Sequence, residues 1–344
     1  MEIQENISLA PFNSFGIDVK ARFYSQIHTV EELTEVCRAK KKWPLFILGG
    51  GSNMLLTKDI DAHVIHLRNK GISVVQDTDS YTIVEVAGGE NWHELVLWSI
   101  ENNLSGIENL ALIPGSVGAA PIQNIGAYGV ELKDSFVSCK VFELSSNQEK
   151  VFSKEACEFA YRSSIFKTSA KGQYMIWSVQ LKLFKPPHTL KTQYGDLSKT
   201  IEALYPNTPN FGLSELAHAV IHIRSLKLPD PKKIGNSGSF FKNPILDKKS
   251  FEAFILDWPE APFYELGGAQ YKVPAGWLIE KTGLKGHREG AVGVHSKQAL
   301  VLVNYGGGSG QEVISLAKKV MDRVFKKFHI TLEPEVNIIP EQQF

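Results

Sequence analysis

The stretch LIPGSVGAAPIQNIGAYG, residues 112–129, decides how the rest of the chain is read. It is uncharged, rich in Gly and Ala, and contains two prolines. A regular helix is excluded, because Pro114 and Pro121 lack an N–H and the glycines favour turns. A half-buried strand is excluded as well, because apolar and polar residues do not alternate. What remains is a run of closely spaced backbone N–H groups with small side chains, which a phosphate or an isoalloxazine ring can approach closely. One such loop is as readily a tight buried connection between two elements. A second one, PLFILGGGSN at residues 44–53, is a short apolar strand running into three glycines, then Ser52 and Asn53. Two phosphate-type loops on one chain point to a large nucleotide with its diphosphate held between them.

The second loop belongs to neither common nucleotide signature. No Gly-Lys-Ser/Thr follows it, so it is not a P-loop. As a Rossmann fingerprint it fits at Gly49 and Gly51, but Met54 stands where the third glycine belongs.

At 344 residues the chain is long enough for two or three domains and a substantial core. Lys plus Arg is 37 and Asp plus Glu is 37, so no net field favours nucleic acid or an acidic membrane surface. Cys37, Cys139 and Cys157 are too few and too widely spaced for a disulfide framework or a zinc pattern. They read as reduced structural thiols of a cytoplasmic protein. The opening MEIQENISLAPFNSF lacks the basic and apolar regions of a signal peptide. No apolar run approaches the roughly 20 residues that cross a bilayer. A soluble protein without membrane or nucleic-acid partners is expected.

Residues 6–16 read as a loop leading to the first strand. Thr29 with Glu32 forms a capping box for a helix to about Ala39, and the charge run at 40–42 reads as its solvated end. Strands are expected at 45–48 and near 63–67, closing a small βαβ-like lobe. A strand at 82–87 and a helix near 92–102 follow, the helix burying Trp92, Leu95, Val96 and Ile100 at helical spacing. After the central loop come strands near 136–144 and 174–184, and Pro186 and Pro187 end the second lobe. Residues 190–231 form a connector with helical pieces. The last lobe starts at 234, with helices near 250–257 and 275–282 and a strand at 299–304. Ser309 with Glu312 caps a long helix to about Phe328, and a strand over 332–339 closes the chain.

Several residue types with chemical potential have ordinary readings too. His218 and His222 sit at i, i+4, but no carboxylate lies between them and no third ligand is evident, so they read as plain helix positions and no metal is expected. Arg162 alone reads as a surface arginine. Glu335, between Pro334 and Val336, would need a partner if it pointed inward. Ser239, in GSGSFFKNP, can simply satisfy a turn, and no nucleophile elbow or Ser–His–acid arrangement surrounds it.

Taken together, the motifs resemble the UDP-N-acetylenolpyruvoylglucosamine reductases nearly end to end. The stretches are ILGGGSN (47–53), ENWHELV (90–96), ENLALIPGSVGAAPIQNIGAYGVE (108–131), YRSSIFK (161–167), YGDL (194–197), KLPDP (227–231), GNSGSFFKNP (235–244), AGWLIE (275–280), QALVLVN (298–304) and LEPEV (332–336). Tyr194 in its YGDL turn resembles the subtype with a Tyr-bearing substrate loop.

The resemblance implies an α+β fold. It consists of a two-lobe FAD-binding unit of the vanillyl-alcohol-oxidase (PCMH) type, followed by a C-terminal α/β substrate-binding lobe. The implied division is 1–70 and 71–187 for the two FAD lobes, 188–231 for a connector with the substrate loop, and 232–344 for the substrate lobe. It also implies non-covalent FAD, NADPH as reductant, and UDP-N-acetylglucosamine enolpyruvate as substrate, in a monomer. By position, Gly49, Gly50, Gly51, Ser52 and Asn53 would hold the pyrophosphate. Pro114, Gly115, Ser116, Gly118, Ala119, Asn124, Ile125, Gly126, Ala127, Tyr128 and Gly129 would line the ribityl chain and flavin.

The resemblance gives Arg162 the role of electrophile towards the enolate-like intermediate, a task suited to a permanently charged group with paired donors. Glu335 would stabilise the same intermediate, protonated or sharing a proton, and Ser239 would protonate carbon as general acid. Tyr161, Tyr194, Lys227, Asn243 and Gln298 would contact substrate, the last at the enolpyruvyl carboxylate. Where the family often carries Arg after LEPEV, this chain has Asn337, which leaves one cation fewer near Glu335. Another FAD-dependent oxidase or dehydrogenase on the same scaffold would explain the two loops but not Arg162, Ser239 and Glu335 in this order. A non-catalytic nucleotide-sugar sensor would have lost one of those three.

Overall fold

A computed structural model describes residues 2–39, 43–208 and 210–341. The charge run at 40–42 therefore lies outside the described residues. Backbone contacts divide the chain into two compact units, each assembled from separated segments. The first comprises Met1–Ile7, Ala21–Gly50 and Asp61–Leu226; the second comprises Ser8–Lys20, Gly51–Ile60 and Lys227–Phe344.

The first unit carries a four-stranded sheet in the spatial order Gln4–Ser8, Lys20–Ile27, Ile60–Leu67, Leu45–Leu48, the last two parallel. Helix Val30–Ala39 starts as the capping box requires. The Glu32 N–H donates to Thr29 Oγ1 at 3.3 Å and the Thr29 N–H to Glu32 Oε2 at 3.2 Å. Its Leu33, Val36 and Cys37 pack with Ile27, Ile65 and Leu67. A five-stranded antiparallel sheet follows, in the order Gln148–Ser153, Phe136–Glu143, Tyr174–Phe184, Tyr81–Ala87, Ile72–Asp77. Helix Trp92–Glu101 is capped by Asn91, whose Oδ1 accepts from the Glu94 N–H at 3.1 Å. It buries Trp92, Leu95 and Val96 as its spacing predicts, with Ile100 only half-buried.

The second unit holds a four-stranded sheet, Gly235–Ser239, Val301–Asn304, Val292–Val294, Arg288–Glu289. Beside it lie helices Lys248–Asp257, Ala275–Lys281 and Gly310–Phe328. The long helix opens with the Ser309–Glu312 box, Ser309 N–H to Glu312 Oε2 at 2.7 Å and Glu312 N–H to Ser309 Oγ at 3.2 Å. Strand Asn337–Ile339 pairs in parallel with Met54–Leu56. All three cysteines are buried and none is in a disulfide. Among the described residues no helix is long and apolar enough to cross a membrane.

Three expectations need correction. Residues 6–8 are not loop but the end of strand Gln4–Ser8, and Ala10–Phe12 form a 3₁₀ turn. Strands Met54–Leu56, Ile72–Asp77 and Gln148–Ser153 escaped the sequence reading. The last two are sheet edges, where Val74, Val75 and Val151 are exposed, so they lack the alternation that marks a half-buried strand. The closing strand is shorter than 332–339: only Asn337–Ile339 is laddered, and Pro334, with no N–H, is limited to an isolated bridge with Phe241.

His66 gives the first unit a pH dependence. It is buried, and its Nδ1 lies 2.8 Å from the Tyr24 hydroxyl. Burial pushes its pKa down to about 4, with the positive charge of Arg68 acting in the same direction and a hydrogen bond to the Gly49 backbone opposing. The unfolded chain therefore takes up this proton near pH 6.5, before the folded one does. Stability is complete above that pH and falls as pH drops towards 4, by up to about 3 kcal/mol from this group. Thermal melting between pH 7 and 4 should show a shallower decline for His66→Gln than for the parent; identical slopes would remove His66 from the account.

Candidate active site

The central stretch resolves into a 3₁₀ helix, Val117–Gln123, with Pro121 inside it, as befits a segment too poor in donors for an α-helix. Asn124 ends it in the left-handed region at φ +46° and then fixes its surroundings. Its Nδ2 donates to Glu131 Oε2 at 3.0 Å and to the Ala160 carbonyl at 3.2 Å, while its Oδ1 accepts from the Lys133 N–H at 3.0 Å. Residues Gly126–Ala127 pair with Val130–Glu131 around Tyr128, which is also left-handed at φ +48°.

Within the first unit the two glycine loops meet. A Cβ on Gly50 would lie 2.7 Å from Gly115 Cα, and one on Gly49 would lie 2.7 Å from Ser116 Oγ. The loops thus pack backbone against backbone, which only residues without side chains permit. No carboxylate occurs in residues 112–129, so nothing in this stretch repels a diphosphate. This cradle fits a flavin dinucleotide. Gly51, Ser52 and Asn53 belong to the second unit, where Gly51 presses on the Phe12 carbonyl, leaving 1.9 Å for a Cβ. Asn337 closes the same loop: its N–H and Nδ2 both donate to the Asn53 carbonyl, at 3.2 and 2.8 Å. The residue that departs from the family pattern therefore anchors the GGGSN turn.

Arg162 and Tyr161 occupy a tight turn closed by two bonds, Ala160 N–H to Ser163 O at 3.0 Å and Ser163 N–H to Ala160 O at 3.2 Å. Arg162 is held at φ +53°, a strained position for a bulky residue and of the kind that concentrates at functional sites. Its Nη2 donates to the Gly126 carbonyl at 2.7 Å, and its guanidinium lies 5.5 Å from the Tyr161 ring. The turn, the 3₁₀ helix and the Tyr128 hairpin are thereby one construction. Tyr194 joins it, its ring edge-on to Tyr128 at 6.2 Å. Asn109 Nδ2 holds that neighbourhood by donating to the carbonyls of Tyr128 (3.0 Å) and Lys191 (2.8 Å). Tyr194 remains 41% exposed, so its ring is accessible to a ligand.

The second unit groups Ser239, Asn243, Gln298 and Glu335. Gly238, at φ +72°, allows the bulge between Asn236 and Ser239. Asn236 Oδ1 accepts from the Gly238 N–H at 2.9 Å and fixes that bulge. The Ser239 side chain is half-buried and its residue pairs with Val301. The Val301 N–H donates to the Gln298 carbonyl at 3.1 Å. On the other side, the Glu335 N–H donates to the Phe240 carbonyl at 2.8 Å, which sets Glu335 within one residue of Ser239. Asn243 Oδ1 accepts from the Ala275 N–H at 2.9 Å, the start of helix Ala275–Lys281. Lys227 opens this unit at the end of helix Leu213–Lys227. His218 on that helix pairs with the Tyr205 hydroxyl.

Two glycine loops packed into one cradle, on a unit that also carries a four-stranded and a five-stranded sheet, suit a flavin nucleotide, and the comparisons agree. A profile described as an FAD binding domain matches residues 21–146, and one described as the C-terminal domain of UDP-N-acetylenolpyruvoylglucosamine reductase matches 230–339. The solved 6-hydroxy-D-nicotine oxidase of Arthrobacter nicotinovorans has the same fold at 11% identity, with TM-score 0.53 over 96% of this chain and 86% of that one. The class is thus an FAD-binding α+β protein.

More particular relatives narrow this. The UDP-N-acetylenolpyruvoylglucosamine reductase of Flavobacterium johnsoniae is 51% identical over 339 residues, covering 98% of this chain and all of its own, and that of Amoebophilus asiaticus is 48% identical over 341 residues, with 98% and 100% covered. The crystal structure of the Thermus caldophilus reductase (MurB) superimposes with TM-score 0.69 at 23% identity, covering 99% of this chain and 100% of that one. The chain belongs to the UDP-N-acetylenolpyruvoylglucosamine reductase family and is an FAD-dependent oxidoreductase.

Sequence reasoning missed the anchoring role of Asn337, which gave no signal, since its partner is a backbone carbonyl far away in sequence.

Proposed function

We propose that the chain reduces the enolpyruvyl group of UDP-N-acetylglucosamine enolpyruvate to the lactyl ether, giving UDP-N-acetylmuramate for peptidoglycan synthesis, as a cytoplasmic monomer using NADPH. The lobe division at 70, 187 and 231 is part of this reading. Bound FAD would supply the hydride-carrying chemistry between NADPH and the vinyl carbon. Gly49 to Asn53 would hold its pyrophosphate, and the small residues between Pro114 and Gly129 its ribityl chain and ring.

Adding hydride to an enol ether is prohibitive unless the adjoining carboxylate takes up charge. Arg162 meets that charge with a planar, permanently ionised fork already oriented by the Gly126 carbonyl. Glu335 stabilises the same charge, and Ser239 delivers the proton to the adjacent carbon. A hydroxyl suffices as acid there because a carbon of enolate character is strongly basic. Lys227, Asn243 and Tyr194 bind the diphosphate and sugar, Tyr161 backs the arginine, and Gln298 contacts the carboxylate. The observation that supports this reading is the bond from the Glu335 N–H to the Phe240 carbonyl, which brings Glu335 to the residue next to Ser239.

Purified protein should be yellow, bleach with NADPH without oxygen, and regain colour on adding the enolpyruvyl nucleotide sugar. Bleached protein that recovers only with oxygen would overturn the reductase reading in favour of an oxidase. Tyr194→Phe removes the hydroxyl that reaches the diphosphate while keeping the ring against Tyr128. Its KM for the nucleotide sugar should rise roughly tenfold, one hydrogen bond to a charged group, with flavin content intact. Unchanged saturation by substrate would exclude a covering role.

A further inference from the structure

Residues 88–93 run alongside residues 110–118 and are bonded to them repeatedly. The Gly118 N–H donates to the Gly88 carbonyl at 2.8 Å, the Val117 N–H to the Glu90 carbonyl at 2.8 Å, and the Trp92 N–H to the Gly115 carbonyl at 3.0 Å. Trp92 Nε1 donates to the Leu110 carbonyl at 3.1 Å. These are amide, carbonyl and indole groups, none of which titrates. One further bond differs in kind. The Leu112 N–H donates to Nδ1 of the half-buried His93 at 3.0 Å. A backbone N–H can only donate, so Nδ1 is bare and the neutral ring carries its proton on Nε2. Leu112 stands at φ +58°, a left-handed conformation that a bulky residue keeps only when its surroundings hold it there.

We propose that His93 is a positioning residue for the flavin: its uncharged ring holds Leu112 in the left-handed conformation and so sets where the 114–129 stretch begins. This rests on the reading that residues 114–129 line the flavin. Without the bond Leu112 relaxes towards an ordinary φ, and FAD must select a minor arrangement of the stretch, which lowers its apparent affinity by the fraction lost. Of the charged groups around the ring, Glu94 follows it on helix Trp92–Glu101 and Arg224 acts on it from helix Leu213–Lys227. Glu90, three residues earlier, is engaged by Lys70 Nζ at 3.0 Å and the Gly71 N–H at 2.8 Å. Burial holds the imidazole below the usual histidine value, Glu94 opposes this and Arg224 assists it. At and above the usual value of about 6.5 the bond to Leu112 is therefore made. As pH falls through the lower folded value, Nδ1 takes a proton, faces the Leu112 N–H as donor against donor, and the bond is lost.

The test uses full-length protein freed of FAD and titrated with FAD between pH 8 and 5.5, above the range in which folded His66 titrates. Parent protein should bind FAD more weakly as pH drops below about 6.5. His93→Asn puts a carboxamide oxygen near the place of Nδ1 and does not titrate, so its affinity at pH 8 should stay within about threefold of the parent and hold across the range. His93→Leu should bind roughly 10- to 100-fold more weakly at every pH, the usual effect of leaving a buried N–H unpaired. Adding Leu112→Gly to it should recover most of that loss, because glycine takes φ +58° without strain. In FAD-free parent, the hydrogen-exchange protection factor of the Leu112 amide should fall over the same pH interval, and in His93→Asn it should stay level. His93→Leu protein that binds FAD as the parent does at pH 8, or His93→Asn protein that keeps the parent's pH dependence, would overturn the proposal. Should His93→Leu not fold, the His93→Asn profile decides alone. FAD that binds the parent without protecting the amides of 114–129 would overturn the reading of that stretch, and the flavin role of His93 with it. The Leu112 protection factor of FAD-free protein tells that failure from a failure of the bond.

Discussion

Replacing Ser239 by alanine should leave reduction of bound FAD by NADPH nearly untouched and slow the second half-reaction by roughly 10² to 10⁴, the usual range for a lost general acid. The two steps separate because no proton is delivered to carbon in the first. Ser239 suits such a test structurally. It sits at the end of a strand whose bulge is fixed by Asn236 and Gly238, and its hydroxyl forms no hydrogen bond to another described residue. Its removal therefore disturbs no visible scaffold. Ser239→Cys should recover part of the rate, since a thiol is the stronger acid. The measurement is rapid anaerobic mixing of pre-reduced Ser239→Ala protein with the nucleotide sugar, following flavin absorbance. Recovery of absorbance at the parent rate would falsify the assignment.

Arg162→Lys should spare flavin reduction by NADPH and lower carbon reduction by roughly two orders of magnitude or more, as for other lost electrostatic stabilisers. Charge is retained and the planar fork is not. The backbone at φ +53° is equally strained for either residue, so strain cancels in the comparison. The lysine does lose the fixed 2.7 Å bond to the Gly126 carbonyl, and with it the aim of the charge. If both half-reactions fell together, Arg162 would be a residue of the flavin cradle or the fold. The same stopped-flow traces decide.

The central loop and the GGGSN turn were legible because proline and glycine act locally: an absent N–H and an absent Cβ have the same consequences in any context. Capping boxes at Thr29 and Ser309 were legible for the same reason, their partners lying three residues away. Edge strands were not, since Val74, Val75 and Val151 face solvent and leave no periodic trace. Chemical roles for Arg162, Ser239 and Glu335 came from resemblance. Their own neighbours in sequence offered only a turn, another turn and an isolated carboxylate. What the fold adds is pairing at long range: Glu335 with Phe240, Asn337 with Asn53, Asn109 with Tyr128 and Lys191. Such pairs depend on backbone groups, which every residue carries alike.

The second unit draws on segments at both ends of the chain, and this sets an order of events during synthesis. Among the described residues strand Met54–Leu56 finds its ladder partner in Asn337–Ile339, and Thr57 bonds to the Ile339 carbonyl across 282 residues. At a ribosomal pace of about 5–20 residues per second, the early strand waits roughly 15 to 60 seconds for its partner. Throughout that interval Met54, Leu55 and Leu56, all buried in the finished fold, remain open to other nascent chains. The five-stranded sheet of the first unit waits less, since its strands are all made by Phe184. The packing of Gly49 and Gly50 against Gly115 and Ser116 can therefore form before the last third of the chain is made, whereas Asn53, held by Asn337, waits for the C-terminal strand.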